Sequence, residues 1–172
     1  MADVLSYDHI NEFKVGPLER GVDLDRFYSR AIYPVGQLAF GKDGTVYKFV
    51  RFRDAVTYAA GHVVTVASDD GNEVTNDRSG GSAIAGLPVA GVCLGAPNQD
   101  DYGWIQVAGV ATVLAGTGLS AGDQLIPHAS TNGAADARAA DSGTAANNNV
   151  FGFALAGISN GQTGAAKLAG VL

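Results

Sequence analysis

From Ala60 onward the chain repeats itself at an offset of 61 residues, and no gap is needed to hold the alignment. Ala60-Gly61 falls on Ala121-Gly122, Gly91 on Gly152, Leu94 on Leu155, Gly103 on Gly164 and Ala108-Gly109-Val110 on Ala169-Gly170-Val171. With Ala85/Ala146 and Val89/Val150, ten of 52 paired positions agree. A unit that recurs at this spacing is one supersecondary element used twice, so tandem halves are expected at 60–111 and 121–172. Each half reads as Ala-Gly, a short strand, a turn, a variable polar loop, a strand containing Gly, another turn and a last strand ending in Ala-Gly-Val. Glycine recurring at turn and bulge positions suits a small, strongly curved β barrel or sandwich, where the chain bends without a Cβ.

The residues before the repeat fit the same class. Leu38-Ala39-Phe40 and Thr45–Arg53 flank an Asp43-Gly44 pair, the short-range signature of a hairpin. Residues 62–67 and 73–75 repeat that logic around Asp69-Asp70-Gly71, which predicts a β meander rather than βα units. Met1 to Pro34 shows no alternation and reads as an extended arm. Within it, Asp23 to Arg30 could form one or two helical turns, with acids first and arginines later as the helix dipole prefers. The expected organisation is an arm over 1–34 and one mainly β domain over 35–172. Its polar loops, 75–82 and 131–149, are expected to be exposed.

Charge and composition narrow the function. The chain has 24 glycines, 16% charged residues and a net charge of −6. Residues 1–58 hold eight cations and eight acids, and residues 59–172 hold three and nine, so 3 − 9 supplies the whole −6. A nucleic-acid partner would need clustered Lys and Arg, and none is expected. Asp3, Asp8, His9 and Glu12 interrupt the opening residues, so no secretory segment is expected there. The weakly polar run 83–97 is broken by Gly and Pro and is too short to span a membrane. Cys93 alone makes no internal disulfide or cysteine-built zinc site.

Catalytic patterns are weak. Gly118-Leu119-Ser120-Ala121-Gly122 matches the Gly-x-Ser-x-Gly elbow, yet Pro127 follows closely where a helix should start and His128 is the only later histidine. A turn is the simpler reading, and a serine hydrolase using Ser120 is a remote alternative. His9, His62 and His128 have no ligand spacing, and Asp69–Glu73 lacks the spacing of a calcium loop. No catalytic, metal-binding or cofactor-binding residues are assigned, and no cofactor is expected.

The segments Ala60–Val64, Ala90–Gly95, Tyr102–Ala111, Ala121–Leu125 and Phe151–Ala156, taken in order, resemble the capsid cement or head decoration proteins of tailed phages. That resemblance covers about 110 residues. It implies a small β-barrel or β-tulip-like fold, commonly a homotrimer, bound to the outside of a shell made of the phage's major capsid protein. It further implies a non-enzymatic virion component that is made in the host cytoplasm and stabilises the assembled head. A tail or head-fibre component is the alternative. The arm and first hairpin hold the residues expected to touch the shell or a sister subunit: Phe27, Tyr28, Tyr33, Tyr47 and Phe49. The competing expectation, favoured for Tyr47 and Phe49, is that these rings fill the barrel core.

Overall fold

Ten strands and their connections account for the residues described by the computed structural model, which are 24–41, 43–54, 56–79, 87–138 and 149–170. The strands are β1 (Leu38–Phe40), β2 (Val46–Phe52), β3 (Val63–Val66), β4 (Glu73–Thr75), β5 (Val89–Cys93), β6 (Tyr102–Leu114), β7 (Gln124–Pro127), β8 (Ala135–Ala137), β9 (Gly152–Ala154) and β10 (Thr163–Ala169). The described residues contain no helix. The hairpin expected around Asp43-Gly44 joins β1 to β2: Gly41 N–H donates to the Thr45 carbonyl at 2.8 Å, and the Asp43 carboxylate accepts from the Thr45 hydroxyl at 2.7 Å.

Five strands close a barrel in the order β2-β4-β3-β5-β6, sealed by the antiparallel β2–β6 pairing. Only the β2–β4 contact within it is parallel, with Phe52 opposite Val74. Beyond β6 the sheet continues through β10, β9, β7 and β8. This second run also returns to β6, through the parallel bridge Ala115↔Ala135 and the Gly116 N–H donated to the Ala135 carbonyl at 2.8 Å. The result is two five-stranded rings that share one long strand.

The offset of 61 holds through the hydrogen-bond register. Val63↔Val92, Val64↔Gly91 and Thr65↔Thr75 in the first ring correspond to Gln124↔Phe153, Leu125↔Gly152 and Ile126↔Asp136 in the second. Cys93↔Ile105 corresponds to Ala154↔Ala166. For the first strand of each ring the offset is 63: Val50↔Gly103 corresponds to Val113↔Gly164, and Phe52↔Val74 to Ala115↔Ala135. Thus β6 is the last strand of one ring over 102–108 and, with the bridge at Ala115 just beyond it, the first strand of the next over 108–114. Even the turn ahead of the last strand repeats. Asp100 takes a positive φ of 66° where the second ring has Gly161 at 73°. Asp is among the few non-glycine residues that tolerate this conformation, and here its carboxylate also accepts from Arg51 at 2.7 Å.

Each ring encloses its own core, built from the same positions. Val50, Phe52, Tyr58, Val64, Val74, Ala90, Cys93, Ile105 and Val107 fill the first. Their counterparts Val113, Ala115, Leu119, Leu125, Ala135, Phe151, Ala154, Ala166 and Leu168 all lie in the second. The large rings change places: Phe52 and Tyr58 oppose a small Ala90 in the first core, whereas Phe151 fills the second beside Ala115 and Leu119. Interiors must be filled to a fixed density, whichever position supplies the volume. Val63, Val89 and Val92 belong to the second core although they lie on β3 and β5. They point away from the first ring and join the two.

Three expectations are corrected. The possible helix at 23–30 is, over the described residues 24–30, a turn at Leu24-Asp25 followed by a β-bridge between Tyr28 and Tyr102. The start of loop 75–82 is not exposed: Thr75, Asn76 and Arg78 are buried. Asn76 is held there by donating to the Thr57 carbonyl at 3.0 Å. Loop 131–149 contains β8, and Gly133, Ala134 and Ala135 are buried against the first ring and the second core. Residues 1–23, 80–82 and 139–148 of the arm and loops lie outside the described residues.

Candidate docking surface

The described part of the arm lies across the outer face of β2 and β6 and is tied there by backbone bonds. Tyr28 and Tyr102 exchange N–H···O bonds of 2.8 and 2.7 Å. Gly36 N–H donates to the Phe49 carbonyl at 2.7 Å, and Phe49 N–H donates to the Gln37 carbonyl at 2.9 Å. On a β-strand alternate residues face opposite sides. In β2 this sends Val50 and Phe52 into the barrel and leaves Tyr47, Phe49 and Arg51 outside.

The rings of arm and sheet interlock. Phe49 is fully buried, with ring centres 5.3 Å from Tyr33, 5.3 Å from Trp104, 6.4 Å from Tyr102 and 6.5 Å from Tyr28. The Tyr33 and Phe49 rings meet edge to face at 88°, the arrangement that aromatic quadrupoles favour. Burial, with Tyr28 nearby, raises the Tyr33 hydroxyl above its ordinary pKa of 10.0, so the ring stays neutral near pH 7. Arg26 lies 5.5 Å over the Tyr28 ring. Phe27 turns the other way, edge to face with Phe52 at 5.7 Å, and its ring occupies the space above Gly103 and Gly95 that a side chain would need.

Four of the five aromatics singled out from sequence, Tyr28, Tyr33, Tyr47 and Phe49, thus fall on the outer face of the first barrel, whereas Phe27 packs against the barrel core. Phe49 is sealed beneath its neighbours, while Tyr28, Tyr33 and Tyr47 are partly buried and retain an outer edge. The reading missed Trp104 and Tyr102, which form the floor of the cluster. The alternation Tyr102, Trp104, Gln106 was the available signal.

The chemical motifs do not converge. Leu119 forms a bridge with Ile158, and the Ser120 N–H donates to the Asp123 carboxylate at 2.7 Å. The Gly118–Gly122 segment is therefore a strand edge and turn, without the helix that a nucleophile elbow requires. His128 accepts from the Ser130 and Thr131 backbone through Nδ1, at 3.2 and 2.9 Å. Among the described residues no three His, Cys, Asp or Glu side chains group as a metal site. Asp69–Glu73 is the β3–β4 turn, its Asp70 carboxylate bonded to Ser68 and the Asn72 N–H. Cys93 is buried in the first core, and burial pushes its thiol well above the usual range. No helix among the described residues is long and apolar enough to cross a membrane.

The seam between the barrels holds a half-buried histidine, His62. Leu114 N–H donates to the Gly61 carbonyl at 2.9 Å, Val63 N–H to the Gly133 carbonyl at 2.7 Å, and Asn76 Nδ2 lies 2.9 Å from His62 Nδ1. Burial holds the His62 imidazole below its ordinary value of 6.5, with the Thr57 carbonyl acting weakly in the opposite direction. The unfolded chain therefore takes up this proton first as the pH falls. The stability is present above about pH 6.5 and declines as the pH drops toward the lower folded value. His62→Gln is expected to flatten the fall in thermal midpoint between neutral and mildly acidic pH. An unchanged pH slope would show that His62 does not carry it.

No protein-family model matches the chain, and no curated protein matches it. Among solved structures it is similar to the N base of the head fiber protein gp8.5 of bacteriophage phi29. The two are 19% identical, the match covers 74% of this chain and 98% of that one, and the TM-score is 0.48. A likeness of that size carries no argument about what this chain does.

Proposed function

We propose that this protein is a structural component of a tailed-phage virion, a cement or decoration protein that binds the outside of the assembled head and stabilises it. Its partner on this reading is the major capsid protein, and it acts as a homo-oligomer, a trimer by the resemblance described above. The observation that supports the reading is the aromatic platform: Tyr28, Tyr33 and Tyr47, held in place over a fully buried Phe49 and Trp104 on the outer wall of a closed barrel. Pre-ordered aromatics with one exposed edge are what interface cores are made of. Docking them costs little entropy because the arm is already pinned. An oligomer seated where several coat subunits meet gains by effective concentration, and binding only the assembled state stabilises it by mass action.

A head-fibre or tail component is the second reading, since a glycine-rich barrel serves equally as the base of an elongated assembly. Copy number separates them. Quantitative mass spectrometry of purified virions is expected to find this chain at a ratio to coat protein corresponding to hundreds of copies per head. A few copies per particle would favour a fibre or tail part, and absence from the virion would overturn both readings.

A further inference from the structure

The repeat allows each surface of the second barrel to be compared with its counterpart on the first. On the first, one sheet face carries two cross-strand rows, Tyr47-Gln106-Val92-Val63 and Phe49-Trp104-Leu94. The second barrel covers Gln106, Val92 and Val63, and the arm covers Phe49 and Trp104; all five are 5% exposed or less. The same rows on the second barrel are Val110-Lys167-Phe153-Gln124 and Thr112-Ala165-Leu155. These are bare, with Val110 54%, Phe153 41% and Leu155 50% exposed. A groove of about 300 Å³ bordered by Leu94, Val110, Thr112 and Ala165 opens beside them.

We infer that this β6-β10-β9 face is where a second copy of the chain docks, through the acidic turn of its first barrel. Both covers of the counterpart face are parts of this same chain, so the face type is already paired with this protein's own surface once. Charge selects the end that docks. Lys167 lies in the first row, and Arg138 bonds Gln124 at its end at 3.0 Å. They are two of the three cations in residues 59–172. The first barrel displays Asp69 and Asp70 at the exposed β3–β4 turn. The seam of the first barrel is already shut by the Arg51 N–H donated to the Asn72 carbonyl at 3.0 Å. The second copy therefore meets the face with that turn rather than by extending the sheet. Such a head-to-tail contact is heterologous and closes into a ring when its rotation permits. It gives the oligomer in the functional reading above a specific surface.

The test is sedimentation equilibrium of the intact protein at low and high salt, with Phe153→Ser/Leu155→Ser and with Lys167→Glu. The wild type is expected to self-associate, more weakly in high salt. The double variant should dissociate about a hundredfold more readily, since each lost apolar contact is worth tenfold or more. Lys167→Glu should weaken association and reduce its salt dependence. All three positions are exposed, so the thermal midpoint of the dissociated variants serves as the fold control. A wild type that stays monomeric, or an oligomer indifferent to these substitutions, overturns the inference. A monomeric wild type that binds shells through this face also overturns it, along with the oligomer in the functional reading, while leaving shell binding standing. An oligomer that follows the substitutions yet binds no shell does the reverse.

Discussion

Phe49→Ala is expected to destabilise the protein by about 3–5 kcal/mol, the cost of deleting a fully buried aromatic ring and leaving its space unfilled. Against a typical total of about 5–15 kcal/mol that is a large fraction. The ring touches Tyr33, Trp104, Tyr102 and Tyr28 together, so no single neighbour can move into the hole. The Trp104 indole N–H is buried with no hydrogen-bond partner among the described residues, so packing alone holds it against Phe49. The backbone bonds at Gly36 and Gln37 survive the substitution, so the arm is loosened rather than released. Urea unfolding should show the loss, and limited proteolysis should cut the variant faster between residues 24 and 36. A change under about 1 kcal/mol with an unaltered cleavage pattern would mean the aromatic cluster is not what fixes the arm.

The second large effect is expected at a pair of glycines. A Cβ on Gly91 would lie 2.6 Å from the Gln106 carbonyl oxygen and 3.1 Å from Ile105 Cδ1. At the counterpart Gly152 it would run into the Lys167 carbonyl. In both rings the obstacle is backbone on the neighbouring strand, which cannot swing aside as a side chain does. Gly91→Ala and Gly152→Ala should each cost about 2–3 kcal/mol, at the upper end of ordinary overpacking. Gly118→Ala, with nothing within 4 Å, should cost far less. Because β6 belongs to both rings, either damaging variant should lower one shared transition rather than split it into two. Two resolved transitions in calorimetry would contradict the shared-strand architecture.

The repeat was legible because it is carried by glycines that backbone geometry requires: Gly91 and Gly152 pass under a neighbouring carbonyl, and Gly103 and Gly164 lie beneath Phe27 and Ile158. The double use of β6 was not legible. Its second half matches β2 at an offset of 63, not 61, and those positions share a single residue, Val50 with Val113. The helix suggested over 23–30 failed because Phe27 and Tyr28, adjacent in sequence, turn to different partners, Phe52 and Tyr102. Tertiary packing overrode a weak local preference. Loop 75–82 looked exposed from its polar residues, yet Asn76 and Arg78 are buried, the Asn76 amide donating to the Thr57 carbonyl and the Arg78 backbone N–H to the Asn132 side chain. Composition does not tell a solvated polar residue from a paired one. The exposed row on β9 and β10 was not legible either, because only the register separates Phe153, which faces outward, from Phe151, which fills the second core.

Phe27 packs against the first core and Tyr28 pairs with Tyr102 on the barrel's outer wall, so a truncation that removes residues 1–30 is expected to damage the fold. Co-sedimentation of the intact protein with empty mature shells of the cognate coat protein, at low and high salt, tests the central claim most directly. The expected result is saturable binding that survives high salt, because aromatic contacts dominate, and that is lost from unassembled coat protein. No binding to shells at either salt concentration would contradict a cement role.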